Sequence, residues 1–424
     1  MKTQNSRLKT QNSKLKTQNS KLMSLPTKFL FIFFFLIGVS SLHASRSLFK
    51  LNQEAESTWL ELGGEIEAEF VVSRRDNRFA YNSSNVSPPI SAGDGVFQTV
   101  PGTTRLRFDK IALNPILYYP NKAHDFFRVE AELNFLSLGS DGSSSDNAFA
   151  KECYFVFNLS NLTKGAYVKV GLDAPFFTPY GDPNARITEV YPINGTAFWR
   201  DEDWQVQVGA DIFSFLYVKA AVSDGLTLND MAVGKSATYQ ILHDARATDD
   251  VADSQKQGTA GIGLKFGDQY KVDFLAFGTY SRLSKDDETF LEEVYHLRGS
   301  GGNRLGGANL GVEFPVLSRK VELFGQGIYT RRGHLDRLGY YGQVAVNLFD
   351  WAQVLFRYNK LEVATSSNFL VNIPLMWDRS TYTGAINISL YNGLTLKNEV
   401  HFNKELSGSS VRNDEVVSQL EWVF

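Results

Sequence analysis

Cysteine is almost missing. Cys153 is the one thiol in 424 residues, which excludes an internal disulfide framework and any cysteine-rich metal cluster. Histidine is sparse too: His43, His124, His243, His296, His334 and His401 lie scattered, with no pair at metal-ligand spacing. No Gly-x-Ser-x-Gly elbow or phosphate-cradling glycine loop accompanies them. No cofactor or metal is implied, and the chain is not expected to be an enzyme. The one constellation of interest is His401 beside Glu399 on one strand face, and a triad there would still need a nucleophile and an orienting group. Positive charge is also in short supply. The chain carries 43 Lys and Arg against 46 Asp and Glu, and Lys2, Arg7, Lys9, Lys14, Lys16, Lys21 and Lys28 all precede residue 45. Without that segment the net charge is about −10, which argues against a nucleic-acid partner, since binding there needs a basic footprint. Beyond residue 39 no long apolar run exists, so no transmembrane helix follows.

What is present begins with an export signal. Lys28 precedes the apolar run Phe29 to Val39, and the small residues Ser40, Ser41 and Ala44 follow. This is the pattern of a secretory signal peptide, cleaved after Ala44; a spanning anchor would need roughly 20 apolar residues. Upstream, the near-identical heptads Lys2–Leu8, Lys9–Leu15 and Lys16–Leu22 run directly into Met23, which reads as the true start. One Leu per heptad is too little for a coiled coil. The organisation expected is therefore residues 1–44 as repeat and signal peptide, 45–59 as a short periplasmic segment and 60–424 as the folded domain.

The last nine residues alternate. Val416, Leu420, Trp422 and Phe424 share one face, and Gln419 and Glu421 share the other. A strand with one lipid-facing side and a final aromatic fits the closing strand of an outer-membrane barrel, with a soluble edge strand as the alternative. Similar alternation predicts about sixteen strands, near 60–72, 104–113, 126–137, 149–159, 166–172, 204–210, 213–223, 258–266, 270–281, 308–314, 320–331, 338–349, 352–362, 382–390, 394–402 and 415–424. The links alternate in length. Asn161–Gly165, Asp211-Ile212, Gly267–Gln269, Pro315–Ser318, Asp350-Trp351 and Asn392-Gly393 are short, whereas Ser73–Thr103, Leu138–Ala148, Asp173–Asp203, Asp224–Gln257, Arg282–Gly307 and Glu362–Ser380 are long. Asn114–His124 departs from this rhythm. Short turns on one side and long loops on the other is the layout of a transmembrane antiparallel β-barrel in the bacterial outer membrane, and an even strand count leaves both ends periplasmic. A soluble sandwich or β-solenoid is the competing all-β reading.

If alternate residues meet lipid, the opposite set lines the lumen. Phe127, Val129, Ala131, Leu133 and Phe135 then face out, and Arg128, Glu130, Glu132 and Asn134 face in. Arg105, Arg107 and Asp109 are likewise expected inside, with Lys169, Gln205, Gln207, Lys219, Lys265, Glu313, Gln343, Asn347, Arg357, Lys397, Glu399 and His401. So polar a wall is expected to be hydrated, which makes a channel for small hydrophilic solutes or ions the natural function. Arg105, Arg107 and Arg128, on adjacent strands, are expected to form a basic ladder that draws anions, with Asp109, Glu130 and Glu132 opposing it. Wall salt bridges that only hold the barrel are the plainer role for these charges. Arg74-Arg75-Asp76-Asn77-Arg78 and Arg331-Arg332 are expected in outer loops, where lipopolysaccharide phosphates are partners to consider.

Tyr167-Val-Lys-Val-Gly171 followed by Pro175-Phe176 resembles an element of phosphate-selective-type porins, in which a strand ends in a glycine and leads into a Pro-Phe opening a folded-in loop. Arg128–Phe135 and Ala150–Phe157 are similar to that family's neighbouring strands. The resemblance implies a sixteen-stranded homotrimer whose loop after the fifth strand narrows the pore. It further implies that Arg186, Glu189, Arg200, Asp201, Glu202 and Asp203 sit at or near the narrowing. Leu172-Asp173-Ala174 stands where that family often has a basic residue. A non-conducting adhesin or surface scaffold is the alternative function, and a barrel hydrolase the third.

Overall fold

The computed structural model describes residues 59–73, 78–79, 97–98, 104–119, 126–137, 149–177, 203–224, 226–233, 239–246, 256–267, 270–283, 288, 302–365, 378–405 and 414–424. Two units are distinguished, Met1–Ala44 and Ser45–Phe424, and every described residue belongs to the second. The strands are β1 (Trp59–Ser73), β2 (Arg78–Phe79), β3 (Phe97–Gln98), β4 (Thr104–Tyr119), β5 (Phe127–Ser137), β6 (Phe149–Asn158) and β7 (Tyr167–Asp173). They continue with β8 (Asp203–Asp211), β9 (Leu216–Ser223), β10 (Leu226–Val233), β11 (Tyr239–Arg246), β12 (Gln257–Phe266), β13 (Lys271–Arg282) and β14 (Gly302–Val316). The last six are β15 (Arg319–Arg332), β16 (Leu335–Phe349), β17 (Ala352–Thr365), β18 (Arg379–Tyr391), β19 (Leu394–Glu405) and β20 (Glu415–Val423).

Sixteen of these form one closed antiparallel barrel, in which each strand pairs with its sequence neighbours and β20 returns to β1. The remaining four make two small ribbons, β2 with β3 and β10 with β11. All sixteen expected strands are present. The ribbon β10–β11 departs from expectation: it lies inside Asp224–Gln257, where alternation predicts one long loop. The second strand is longer than expected, because β4 runs through Pro115, in register with Leu62, to Tyr119. A proline removes one backbone donor, and a strand paired on both sides survives that loss. Its extension shortens the link to β5 and restores the rhythm that Asn114–His124 had broken. Among the described residues no helix is long and apolar enough to cross a membrane, which says nothing against crossing by strands.

The two barrel faces differ as alternation requires. In β8, Trp204, Val206 and Val208 are 44–56 % exposed, while Gln205 and Gln207 between them are 3–5 % exposed. Aromatic side chains gather at two levels on the outer face. Near the short turns lie Phe213 stacked on Phe215, Phe215 on Phe266, Phe349 on Trp351, and Trp422 beside Phe424. Toward the long connections lie Trp204, Tyr280, Tyr329 and Phe402, with Tyr358 packed 4.9 Å from Tyr382. Nine residues separate Tyr382 from Tyr391 along β18, about 30 Å of strand, or about 23 Å of height at a tilt of ~40°. That matches the apolar band between the aromatic girdles of membrane barrels.

The barrel closes tightly. Gly64 and Phe424 exchange reciprocal backbone hydrogen bonds of 2.9 and 3.0 Å, and the Phe424 ring lies where a Cβ on Gly64 would stand.

Candidate functional site

The inward face of β1 repeats glutamate at every second position. Glu65, Glu67 and Glu69 stand in register with Val423, Glu421 and Gln419 of β20. Lys110 answers this stripe, with its Nζ 2.7 Å from Glu65 and 2.9 Å from Glu132. Gln419 donates to Glu67 at 2.9 Å, and Lys397 pairs with Glu421. The carboxylates of Glu65, Glu67 and Glu421 lie within 4.8 Å of one another. Glu65, Glu67 and Glu69 are absent from the expected lumenal set, although their alternation inside strand 60–72 is a visible signal.

Two expectations for β4 need correcting. The register between β1 and β4 shifts at Glu67/Ala68, so Asp109 falls in a bulge and has no cross-strand partner on β1. Lys110 takes the inward position in its place. The basic ladder is not formed either. Arg105 and Arg107 lie opposite Val71 and Glu69, whereas Arg128 lies opposite Tyr118 at the other end of β4, about 35 Å away along the strand. Arg128 instead pairs with Glu130, whose other oxygen accepts from the Tyr154 hydroxyl at 2.8 Å.

On the other side of β1, in β17 to β20, the polar wall is buried rather than open to water as expected. Arg357, Lys397, Glu399 and His401 are at most 1 % exposed. The short side chains of Thr381 and Thr383 on β18 let Arg357 reach across to Glu399, at 3.6 Å. His401 holds Glu399 through Nε2 at 3.1 Å and the Thr383 hydroxyl through Nδ1 at 3.0 Å. The Thr383, His401 and Glu399 order resembles a triad, but a hydroxyl with no exposure cannot meet a substrate. This constellation is a wall network. Arg332 is also buried and belongs to β15, not to an outer loop, while Arg331 lies 3.7 Å from Asp336.

The chain leaves the wall after β7. Gly171 has φ +145°, and a Cβ there would stand 2.3 Å from the Cys153 carbonyl oxygen, so only glycine fits the approach of β7 to β6. Spanning it, Lys169 bonds Asp173 at 2.6 Å and lies 4.0 Å above the Tyr154 ring. The Gln205 amide donates to the carbonyls of Asp173 and Ala174, at 2.8 and 3.0 Å. Pro175, Phe176 and Phe177 then turn inward. Phe177 is fully buried and stacks 4.7 Å from Phe277 of β13. Its carbonyl accepts from Asn309 of β14 and Gln326 of β15, at 3.4 and 3.3 Å. A segment that starts on β7 and docks on β13 to β15 lies inside the barrel. Rings here use glycines as seats: Tyr167 over Gly209, Tyr217 over Gly263 and Phe176 over Gly261.

Of the residues expected at the narrowing, Arg186, Glu189, Arg200, Asp201 and Glu202 lie outside the described residues. Asp203 is the first residue of β8, buried and in register with Asp173.

No protein-family model matches the chain, and no curated protein matches it. Solved structures do. The outer membrane channel DcaP of Acinetobacter baumannii superimposes with a TM-score of 0.60 at 12% identity, covering 89% of this chain and 100% of that one. Pseudomonas putida OprB gives 0.56 at 10% identity, over 86% and 94%. The anion-selective porin from Comamonas acidovorans gives 0.51 at 11% identity, over 87% and 100%. At these identities the likeness is one of fold.

Proposed function

We propose that the barrel is an outer-membrane porin, a water-filled channel for passive diffusion of small hydrophilic solutes or ions. One observation carries this reading: the chain after β7 is pinned inside the barrel by Phe177, as a segment that narrows a lumen must be. The outer aromatic levels support a membrane setting, and the structural neighbours support a channel. On this reading residues 23–44 direct export with cleavage after Ala44, where the chain divides into its two units. Arg186, Glu189, Arg200, Asp201 and Glu202 are proposed at or near the narrowing, and the protein is proposed to assemble as a homotrimer among outer-membrane lipid and lipopolysaccharide. Anion preference, including phosphate, loses support with the absent ladder.

The test is single-channel recording of the refolded mature chain in planar bilayers, with reversal potential under a salt gradient. Discrete ohmic steps are expected. A barrel that folds and inserts without steps overturns the channel reading in favour of a non-conducting surface scaffold, which the buried charges of β17 to β20 favour.

A further inference from the structure

Three arginines stand on the outer face of the barrel at the level of the long connections. On β14, Asn303 shares the inward side with Asn309, which holds Phe177, so Arg304 between them in the alternation points outward. Arg282 of β13 and Arg331 of β15 lie on that same outer side, and all three are exposed. Arg304 stands directly opposite Arg331, and Arg282 stands opposite Gly302. Cross-strand neighbours are about 5 Å apart at their Cα atoms, and like charges placed this way repel. Asp336 offsets little of this. Its carboxylate is 3.7 Å from Arg331 and already accepts the Tyr329 hydroxyl at 2.9 Å. Among the described residues no carboxylate pairs with Arg282 or Arg304. Gly302 lies on the same face beside all three arginines, and a Cβ there would meet no atom within 4 Å. The arginines therefore border an open notch with surplus positive charge.

Toward mid-barrel the same face turns bare. Gly278 of β13 pairs with Gly306 of β14, and Ala308 pairs with Gly327 of β15. A Cβ would meet nothing closer than 3.6 Å at any of these glycines, so packing of the wall does not demand them. Glycine weakens a strand interior, and where the wall does not need it, it marks a close approach from outside. Tyr280 and Tyr329, both exposed, flank the step from the arginines to this shallow trough.

A cationic notch above an apolar trough fits an amphiphile with an anionic head and hydrocarbon chains. We propose that the outer face of β13 to β15 binds the lipid A part of lipopolysaccharide, with phosphate between Arg282, Arg304 and Arg331 and an acyl chain along Gly278, Gly306 and Gly327. Planar guanidiniums pair with phosphate oxygens in bidentate fashion. Three of them exceed what one phosphodiester can use, whereas lipid A carries two phosphates. The inference rests on the outer-membrane reading with the long connections outside, since lipopolysaccharide occupies the outer leaflet.

Native mass spectrometry of the refolded mature barrel in detergent, titrated with lipid A and separately with phosphatidylglycerol, reads the site. Lipid A should bind at least severalfold more tightly. Arg304→Gln should weaken it about tenfold by removing a charge-assisted pair, and Gly302→Leu should weaken it by filling the notch. Arg319→Gln removes an exposed arginine at the opposite level and should change nothing. Equal affinity for the two lipids, or equal losses from Arg304→Gln and Arg319→Gln, overturns the proposal in favour of a general attraction for anionic lipid. Binding by the monomer that vanishes on oligomerisation gives the face to a second copy and overturns it as well. If a variant lacks native heat-modifiable gel mobility, the two-lipid comparison on the unmodified chain decides. Insertion into phosphatidylcholine vesicles keeps the readings apart. A barrel that inserts without preferring lipid A sinks the site alone, and one that binds lipid A yet passes no current sinks the channel alone.

Discussion

Replacing Phe177 with alanine removes a buried ring stacked on Phe277 and loosens the carbonyl that Asn309 and Gln326 hold. Losses of this kind cost about 3–5 kcal/mol in a packed interior. Here the ring also anchors the folded-in segment, so Phe177→Ala should widen the passage as well as destabilise it. Larger single-channel steps and a lower guanidinium midpoint in lipid vesicles are expected, and an unchanged step size would detach Phe177 from the narrowing. Charge gives a sharper contrast. Lys110 is largely buried between Glu65 and Glu132, whereas Arg319 meets Asp350 at 3.7 Å in the open. Lys110→Ala should cost about 3–5 kcal/mol by leaving buried carboxylates uncompensated. Arg319→Ala should cost under about 1 kcal/mol. Equal costs in the same unfolding assay would mean that the glutamate stripe is wetter than its burial indicates.

At the scale of elements, the approach of β7 to β6 depends on Gly171. Gly171→Ala should sharply lower the folded fraction seen by gel mobility, since the new methyl meets the Cys153 carbonyl and the backbone resists the required φ. Which strands exist was readable from alternation, because period two and turn residues are local signals. Where each strand stops was less so. Asn114-Pro115 looks like a terminator, yet β4 passes through it. Pro315–Ser318 looks like a four-residue link, yet β14 continues to Val316 and turns on Leu317 and Ser318, both at positive φ (48° and 64°). That is the twist a two-residue hairpin needs, imposed on residues that seldom adopt it. The bulge at Asp109 was equally hidden, since it follows from pairing with β1. One shifted residue put Lys110 on the inner face where Asp109 was expected. The site was legible where chemistry is local, at Gly171 and Pro175-Phe176, and illegible where it depends on register between strands, as with Arg128.

For the molecule as a whole, the two aromatic levels define a membrane position that can be measured. Trp204 belongs to the level near the long connections, and Trp351 and Trp422 to the level near the short turns. Variants that keep only Trp204 or only Trp351 should be quenched more strongly by lipids brominated near the headgroup than by lipids brominated at the chain end. The reverse order for both would place the apolar band elsewhere and count against membrane insertion in this register.

The meeting of β20 with β1 has a temporal meaning. Its partners are separated by most of the chain, so the seam between Gly64 and Phe424 carries the largest loop-closure cost in the barrel and is disfavoured until the rest of the sheet has formed. Until then the sheet carries two raw edges, each ready to pair with a stranger. A ribosome that stops early, or a protease that trims the last strand, leaves those edges permanently open. The seam thus works as a receipt for length: a truncated copy betrays itself through stickiness, and only a finished one becomes inert.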